Sequence, residues 1–150
     1  MPQLHSAKDA SARSDEKVRY TARVHTIGGR DGGRSCSNDG RLDVHLSTPG
    51  FFGTGTNPEQ LLAACWSACF LTSIKAVARQ MEVRLPVYLA VDAEVSLRLK
   101  NGESFLQIRI DVDLPGVDRK LAETIIDAAH EVCPYSKATR GNVDVALSVT

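Results

Sequence analysis

Hydrophobic and polar residues alternate with a strand-like period of two in several stretches of this chain. The first is Val18–Ile27 (VRYTARVHTI), rich in β-branched and aromatic residues. The four glycines of GGRDGGRS then supply a turn between strands. RLDVHL (41–46) reads as a half-buried strand, and TPGFFGTGT (48–56) as a loop that holds Phe51 and Phe52 among turn residues. Two longer alternating runs, YLAVDAEVSLRL (88–99) and FLQIRIDVDL (105–114), flank Asn101-Gly102, the signature of a hairpin. A last strand is expected at VDVALSV (143–149).

Between these runs the period changes to that of a helix. At TNPEQLL, Asn57 can cap, Pro58 suits the first helical position, and Gln60 has capping-box spacing. The helix is predicted to run to about Met81, before Pro86. From Leu61 to Ile74 it carries no charge, and only Ser67, Thr72 and Ser73 are polar. A helix apolar on every face must be buried on every face, and one sheet covers only one side. A second layer or a second subunit is therefore expected. Asp118 caps a second helix through about Val132, whose Leu121, Ile125, Ala129 and Val132 share a face. Pro134 disfavours helix at Cys133, and PYSKATRGN reads as a loop. The predicted class is α+β with largely antiparallel sheets and two helices, one of them a long buried central helix.

Composition narrows the classes. The chain has 150 residues, 43% of them hydrophobic and 24% charged, which suits one soluble domain. Eighteen basic residues balance eighteen acidic ones, so no footprint for nucleic acid or an anionic membrane is present. No apolar run reaches the length of a spanning helix. Residues 1–17 are polar and read as a flexible tail before a domain at 18–150. They lack the pattern of a secretory signal, which together with the sparse cysteines points to the cytoplasm.

The cysteines are the candidate chemistry. Cys65 and Cys69 lie one turn apart on the apolar helix, and Cys133 ends the second helix on its inward face. Packing of the two helices on one sheet could bring Cys69 and Cys133 together. Four readings compete at this point. Buried cysteine can be a small hydrophobe, the reading that fits Cys36 and Cys65. Cys65, Cys69, His130 and Cys133 could bind a metal in two short pairs. His130 could activate Cys133 as a hydrolase nucleophile. Finally, two thiols could form a redox pair. That reading needs a cation, because Cys69 lies about three turns into its helix, beyond the reach of the dipole, and burial raises its pKa. Arg30 and Arg34 in the glycine-flanked turn, or Arg140, could supply the charge, and Glu59 is the acid near the helix start that could hold it.

Three blocks carry a resemblance: TIGGRDGGRSCSNDGRLDVHLSTP, then GTNPEQLLAACWSACF, then, after an LPG, AAHEVCPYSKATRGNVDVALSV. From about Tyr20 to the C-terminus the chain resembles the organic hydroperoxide resistance proteins of the Ohr/OsmC superfamily. The resemblance implies the OsmC-like fold, an intertwined homodimer with sites at the interface, and a two-cysteine thiol peroxidase for alkyl and fatty-acid hydroperoxides. It matches Cys69 to the peroxidatic and Cys133 to the resolving cysteine, the two joining in a redox disulfide. It matches Arg30 to the activating arginine and Glu59 to the carboxylate that holds it. Electrons are expected from a dihydrolipoyl group on a lipoylated protein or another dithiol, with no metal, flavin or other cofactor and no nucleic acid or membrane partner. An OsmC-like sensor or small-molecule binder that oxidises without turnover is the alternative.

Phe51, Phe52, Trp66 and Phe70 are the candidate lining for an apolar substrate group. The chain departs from the family at Cys65, where glycine is usual, at Trp66, where tyrosine is usual, and in a shorter loop from Pro49 to Thr56. Ten residues, about 15 Å of helix rise, separate Glu59 from Cys69. A long-reaching arginine or a second subunit must therefore complete such a site.

Overall fold

The computed structural model describes residues 16–150, so most of the expected N-terminal tail lies outside the described residues. Three short strands come first: β1 (Val24–Ile27), β2 (Arg34–Ser37) and β3 (Asp43–His45) form one antiparallel sheet in chain order. The expected first strand is thus trimmed to its last four residues, and the end of the glycine turn is itself a strand. After α1 (Pro58–Gln80), the hairpin β4 (Ala90–Lys100) and β5 (Glu103–Asp113) pairs along its full length. Asn101 and Gly102 both take positive φ, 52° and 81°, as a two-residue turn matched to strand twist demands. Helix α2 (Arg119–Val132), the short α3 (Pro134–Thr139) and β6 (Asp144–Val149) complete the chain. Because β6 returns through the helices, it lies parallel to β5, whereas the other strand pairs among the described residues are antiparallel. The α+β class stands.

Helix α3 replaces an expected loop. Cys133 is extended (φ −63°, ψ 124°), which ends α2 and serves as the start of α3. Pro134 then occupies the first position of α3, where its missing N–H is harmless. The proline read as a terminator is also an initiator. At the start of α1, Asn57 Oδ1 accepts from the Gln60 N–H at 2.9 Å. The Gln60 side chain pairs with Thr56 Oγ1 at 2.8 Å instead of closing a capping box.

The core lies between α1, α2 and the second sheet. Trp66, Phe70, Ile74 and Val77 of α1 pack with Ile108, Ile110 and Val112 of β5 and with Ile125, Ala129 and Cys133. Helix α1 is long and apolar enough to cross a membrane by length and composition alone. Here it is the core helix of a layered domain. Its burial is one-sided, however: Ala64, Cys65, Ala68, Thr72 and Ala76 are exposed in the single chain. The expectation of cover on every face is not met by this chain alone. Exposed Leu97, Leu99 and Phe105 at the far end of the β4–β5 hairpin, and Val87 and Tyr88 before it, share that condition.

Replacing Ile110 with Ala removes a fully buried side chain from the centre of β5. Unfolding free energy should fall by about 3 kcal/mol, read as a lower urea midpoint at unchanged slope.

Candidate functional site

The turn between β1 and β2 is built on close backbone approach. A Cβ on Gly33 would stand 2.2 Å from the Gly29 oxygen and 2.3 Å from that of Ile27, so only glycine fits. The turn closes with the Gly33 N–H donating to Gly29 O at 3.1 Å. It carries Arg30 to the first turn of α1, where Glu59 waits. Arg30 Nη2 donates to Glu59 Oε1 at 2.7 Å and Nη1 to Oε2 at 3.3 Å, a two-pronged pair. Thr48 Oγ1 donates to Asp31, tying the following loop to the same turn. The Arg30 hydrogen bond, against a smaller cost of burial, holds the Glu59 carboxyl below its ordinary range. The guanidinium is correspondingly raised.

The second half of the site lies farther along α1. Cys69 and Cys133 are both free thiols, and their sulfurs stand 3.9 Å apart although 64 positions separate them in the chain. A disulfide bond needs about 2 Å of further approach, within the reach of side-chain rotation and small backbone shifts. Cys133 is wholly buried and Cys69 half-buried. Burial pushes the Cys69 thiol up, and Cys133 adds to the effect, while the Tyr135 N–H pulls the other way. Burial also opposes ionisation of Cys133. There the nearby Ser136 N–H and hydroxyl, the Tyr135 N–H and Cys69 outweigh it, and the thiol is drawn down.

Cys65 belongs to the same neighbourhood. Its thiol donates to Leu61 O at 2.9 Å, an ordinary back-bond within the helix. The Tyr135 phenol is pushed up to about 12, chiefly by Cys65 and then by burial. The ring of Tyr135 stacks on Trp66 with centroids 6.3 Å apart. Tyr135 and Ser136 were not singled out from the sequence, because their segment reads as a loop; Pro134 at a helix start was the available signal.

The structure thus forms two pairs, Arg30 with Glu59 and Cys69 with Cys133. Among the described residues no hydrogen bond or ion pair joins one pair to the other. The other candidate cations are engaged elsewhere. Arg34 grips Asp43 across the first sheet at 2.5 and 2.7 Å. Arg140 pairs with Glu131 at 3.1 Å and donates to the His130 carbonyl. The metal quartet is not assembled, since no group of three or more potential ligands gathers among the described residues. Nor does His130 engage Cys133: its ring meets Phe70 edge-on at 6.4 Å, and its Nδ1 is buried without a partner.

Two grooves border the Arg30 turn. One, of about 510 Å³, is lined by Arg30, Glu59, Gln60, Ala63, Ala93 and Val95 among others. The other, about 760 Å³, includes Asp31, His45, Phe51 and Phe52, with Phe52 fully exposed. Trp66 and Phe70 line neither groove. Both are completely buried in the core, packed on Tyr135 and His130, which corrects their expected place in a substrate pocket.

Comparison with known proteins gives a consistent result. A family model described as OsmC-like protein matches residues 51–148. The organic hydroperoxide resistance protein of Xanthomonas axonopodis pv. citri is 46% identical over 140 residues, spanning 91% of this chain and 98% of that protein. The crystal structure of OhrB of Bacillus subtilis superimposes with a TM-score of 0.82 at 40% identity, covering 87% of this chain and 98% of its own. An organic hydroperoxide resistance protein from Legionella pneumophila gives 0.83 at 40% identity, with 89% and 99% covered.

The Arg30–Glu59 pair sets an acid limb on stability. Because the folded-state pKa of Glu59 lies below the ordinary 4.5, its contribution is present above that pH and is lost as pH falls through the folded value. Urea unfolding from pH 7 to pH 3 should show Glu59→Gln less stable than wild type near neutrality. The difference should shrink toward zero at the acid end.

Proposed function

The chain belongs to the OsmC-like family and, within it, to the organic hydroperoxide resistance proteins, and on that footing we propose that it is a two-cysteine thiol peroxidase. The observation that carries this reading is the pair of free thiols held 3.9 Å apart, one wholly buried and the other half-exposed. The Cys69 thiolate attacks the O–O bond of an organic hydroperoxide, the alcohol leaves, and Cys69 becomes a sulfenic acid. Cys133 attacks that sulfur, a disulfide forms, and water is released. A dithiol, such as the dihydrolipoyl group of a lipoylated protein, restores both thiols by exchange. The reaction needs no metal or flavin.

Attack by Cys69 requires charge to be moved onto a sulfur that burial disfavours. That task falls to Arg30, oriented by Glu59, which also positions the peroxide. About 15 Å of helix rise lies between Glu59 and Cys69, so the guanidinium comes to the thiol by movement of the glycine turn or from a second copy. The second copy has independent support. Ala64, Ala68 and Ala76 on the open face of α1, together with Phe52, Leu97, Leu99 and Phe105, leave a broad apolar surface exposed. A homodimer that buries this surface also supplies the missing wall of the grooves, and the cytoplasm supplies the reducing conditions that keep both thiols free.

Three measurements test the reading. With cumene hydroperoxide and dithiothreitol, the wild-type chain should turn over repeatedly, and Cys69→Ser should not. A single stoichiometric oxidation would instead mark a sensor or binder. Cys133→Ser should leave Cys69 as a sulfenic or over-oxidised species, visible as a mass increase of one or more oxygens. Sedimentation of the native protein should give twice the chain mass; a monomer at micromolar concentration would remove the second copy from the site.

A further inference from the structure

Among the described residues, three buried side-chain polar atoms have no hydrogen-bond partner: Trp66 Nε1, His130 Nδ1 and Ser136 Oγ. A buried hydroxyl without a partner loses its water and receives nothing in return, and such a group calls for an explanation. Ser136 is wholly buried, and so is Cys133, three residues earlier. At the head of α3, Cys133 is the capping residue and Ser136 the third helical residue, from which a side chain can reach back toward the cap. The turn itself is fixed by backbone bonds, Lys137 N–H to Cys133 O at 2.9 Å and Arg140 N–H to Ser136 O at 3.0 Å. Those bonds occupy both carbonyls and leave the Ser136 hydroxyl unused. Ser136, through its N–H and its hydroxyl, favours the ionised form of the Cys133 thiol.

We propose that Ser136 is a positioning residue for disulfide formation, its hydroxyl donating to the Cys133 thiolate and aiming that sulfur at Cys69. A neutral thiol is a weak acceptor, so the hydroxyl goes unsatisfied while Cys133 is protonated. Once the sulfur is charged, the same hydroxyl gains a charge-assisted bond. The unsatisfied state thus biases the pair toward ionisation at the resolving cysteine. In the step itself, Cys133 has first released its proton. Its thiolate then forms the S–S bond, the S–O bond of the Cys69 sulfenic acid breaks, and the departing hydroxide takes up a proton to become water. The other titratable groups around Cys133 are Cys65 and Cys69 on α1, His130 on α2 and Tyr135 on α3, and each stays the same in the comparison below.

This inference rests on the peroxidase reading, and its test separates the two. In a Cys69→Ser background, which cannot reduce peroxide, thiolate absorbance near 240 nm is titrated with and without Ser136→Ala. The Cys133 midpoint should rise by about one unit or more when the hydroxyl is removed. With Cys69 present, quenched-flow trapping of its sulfenic acid with dimedone times each step. Ser136→Ala should slow decay of the sulfenic acid about three- to tenfold below the midpoint, since the loss of thiolate exceeds the gain in its nucleophilicity. The deficit should fade as pH is raised. Thermal stability should hold or rise, because an unpartnered hydroxyl has been taken out of the core. Ser136→Thr, which keeps the hydroxyl, should restore the wild-type titration. Unchanged midpoint and decay in Ser136→Ala, or a threonine chain that behaves like the alanine one, would overturn the role of Ser136. Failure of the wild-type chain to form any Cys69–Cys133 bridge with peroxide would overturn the peroxidase reading instead, while the titration still decides whether Ser136 tunes Cys133.

Discussion

The site depends on holding two sulfurs within one van der Waals contact of each other inside an apolar interior. Neither cysteine could do this from its own element. Cys69 is placed by the packing of Trp66, Phe70 and Ile74 against β5 and α2, and Cys133 by the break between α2 and α3. That break is chemically economical. The extended backbone at Cys133 ends one helix, starts the next, and leaves its sulfur facing the first-turn N–H groups of Tyr135 and Ser136. A continuous helix through this point would present the thiol to its own backbone carbonyls.

Charge is the second constraint, and it pulls against the first. The core that fixes the distance between the sulfurs also raises the cost of ionising Cys69. Two separate features bear on charge here. The first-turn N–H groups of α3 favour an anion at Cys133, and at the head of α1 Glu59 holds the Arg30 guanidinium. With side-chain exposures of 38% and 15%, the Arg30–Glu59 pair is only partly withdrawn from solvent, so its value lies in orientation more than in stability. The open faces beside it are what a second copy would close.

Much of this was legible in the sequence. Alternation found both long strands, the Asn101-Gly102 turn and the last strand, and the Asn57-Pro58 pair placed the start of α1 to the residue. The uncharged run from Leu61 to Ile74 calls for a second layer or a second subunit, and Ala64, Ala68 and Ala76 are left exposed in the single chain. Less legible was anything set by packing rather than period. Trp66 and Phe70 are aromatic like Phe51 and Phe52, and only the fold sends the first pair into the core and the second to the surface. Helix α3 was hidden because Pro134 both ends and begins helices, so Tyr135 and Ser136 passed as loop residues. The parallel register of β6 left no local signal, since it follows from the path of two intervening helices.

The wide spacing of the two sulfurs along the chain has a consequence during synthesis. Cys69 leaves the ribosome 64 residues before Cys133. At about 5–20 residues per second that is an interval of roughly 3–13 s. Through it, the nascent polypeptide carries Cys69 without Cys133, its neighbour in the fold, and β6 has yet to join its sheet. Until Cys133 arrives, the other thiols in the chain are Cys36 and Cys65, so any disulfide Cys69 made in that window would be one that the finished fold does not hold.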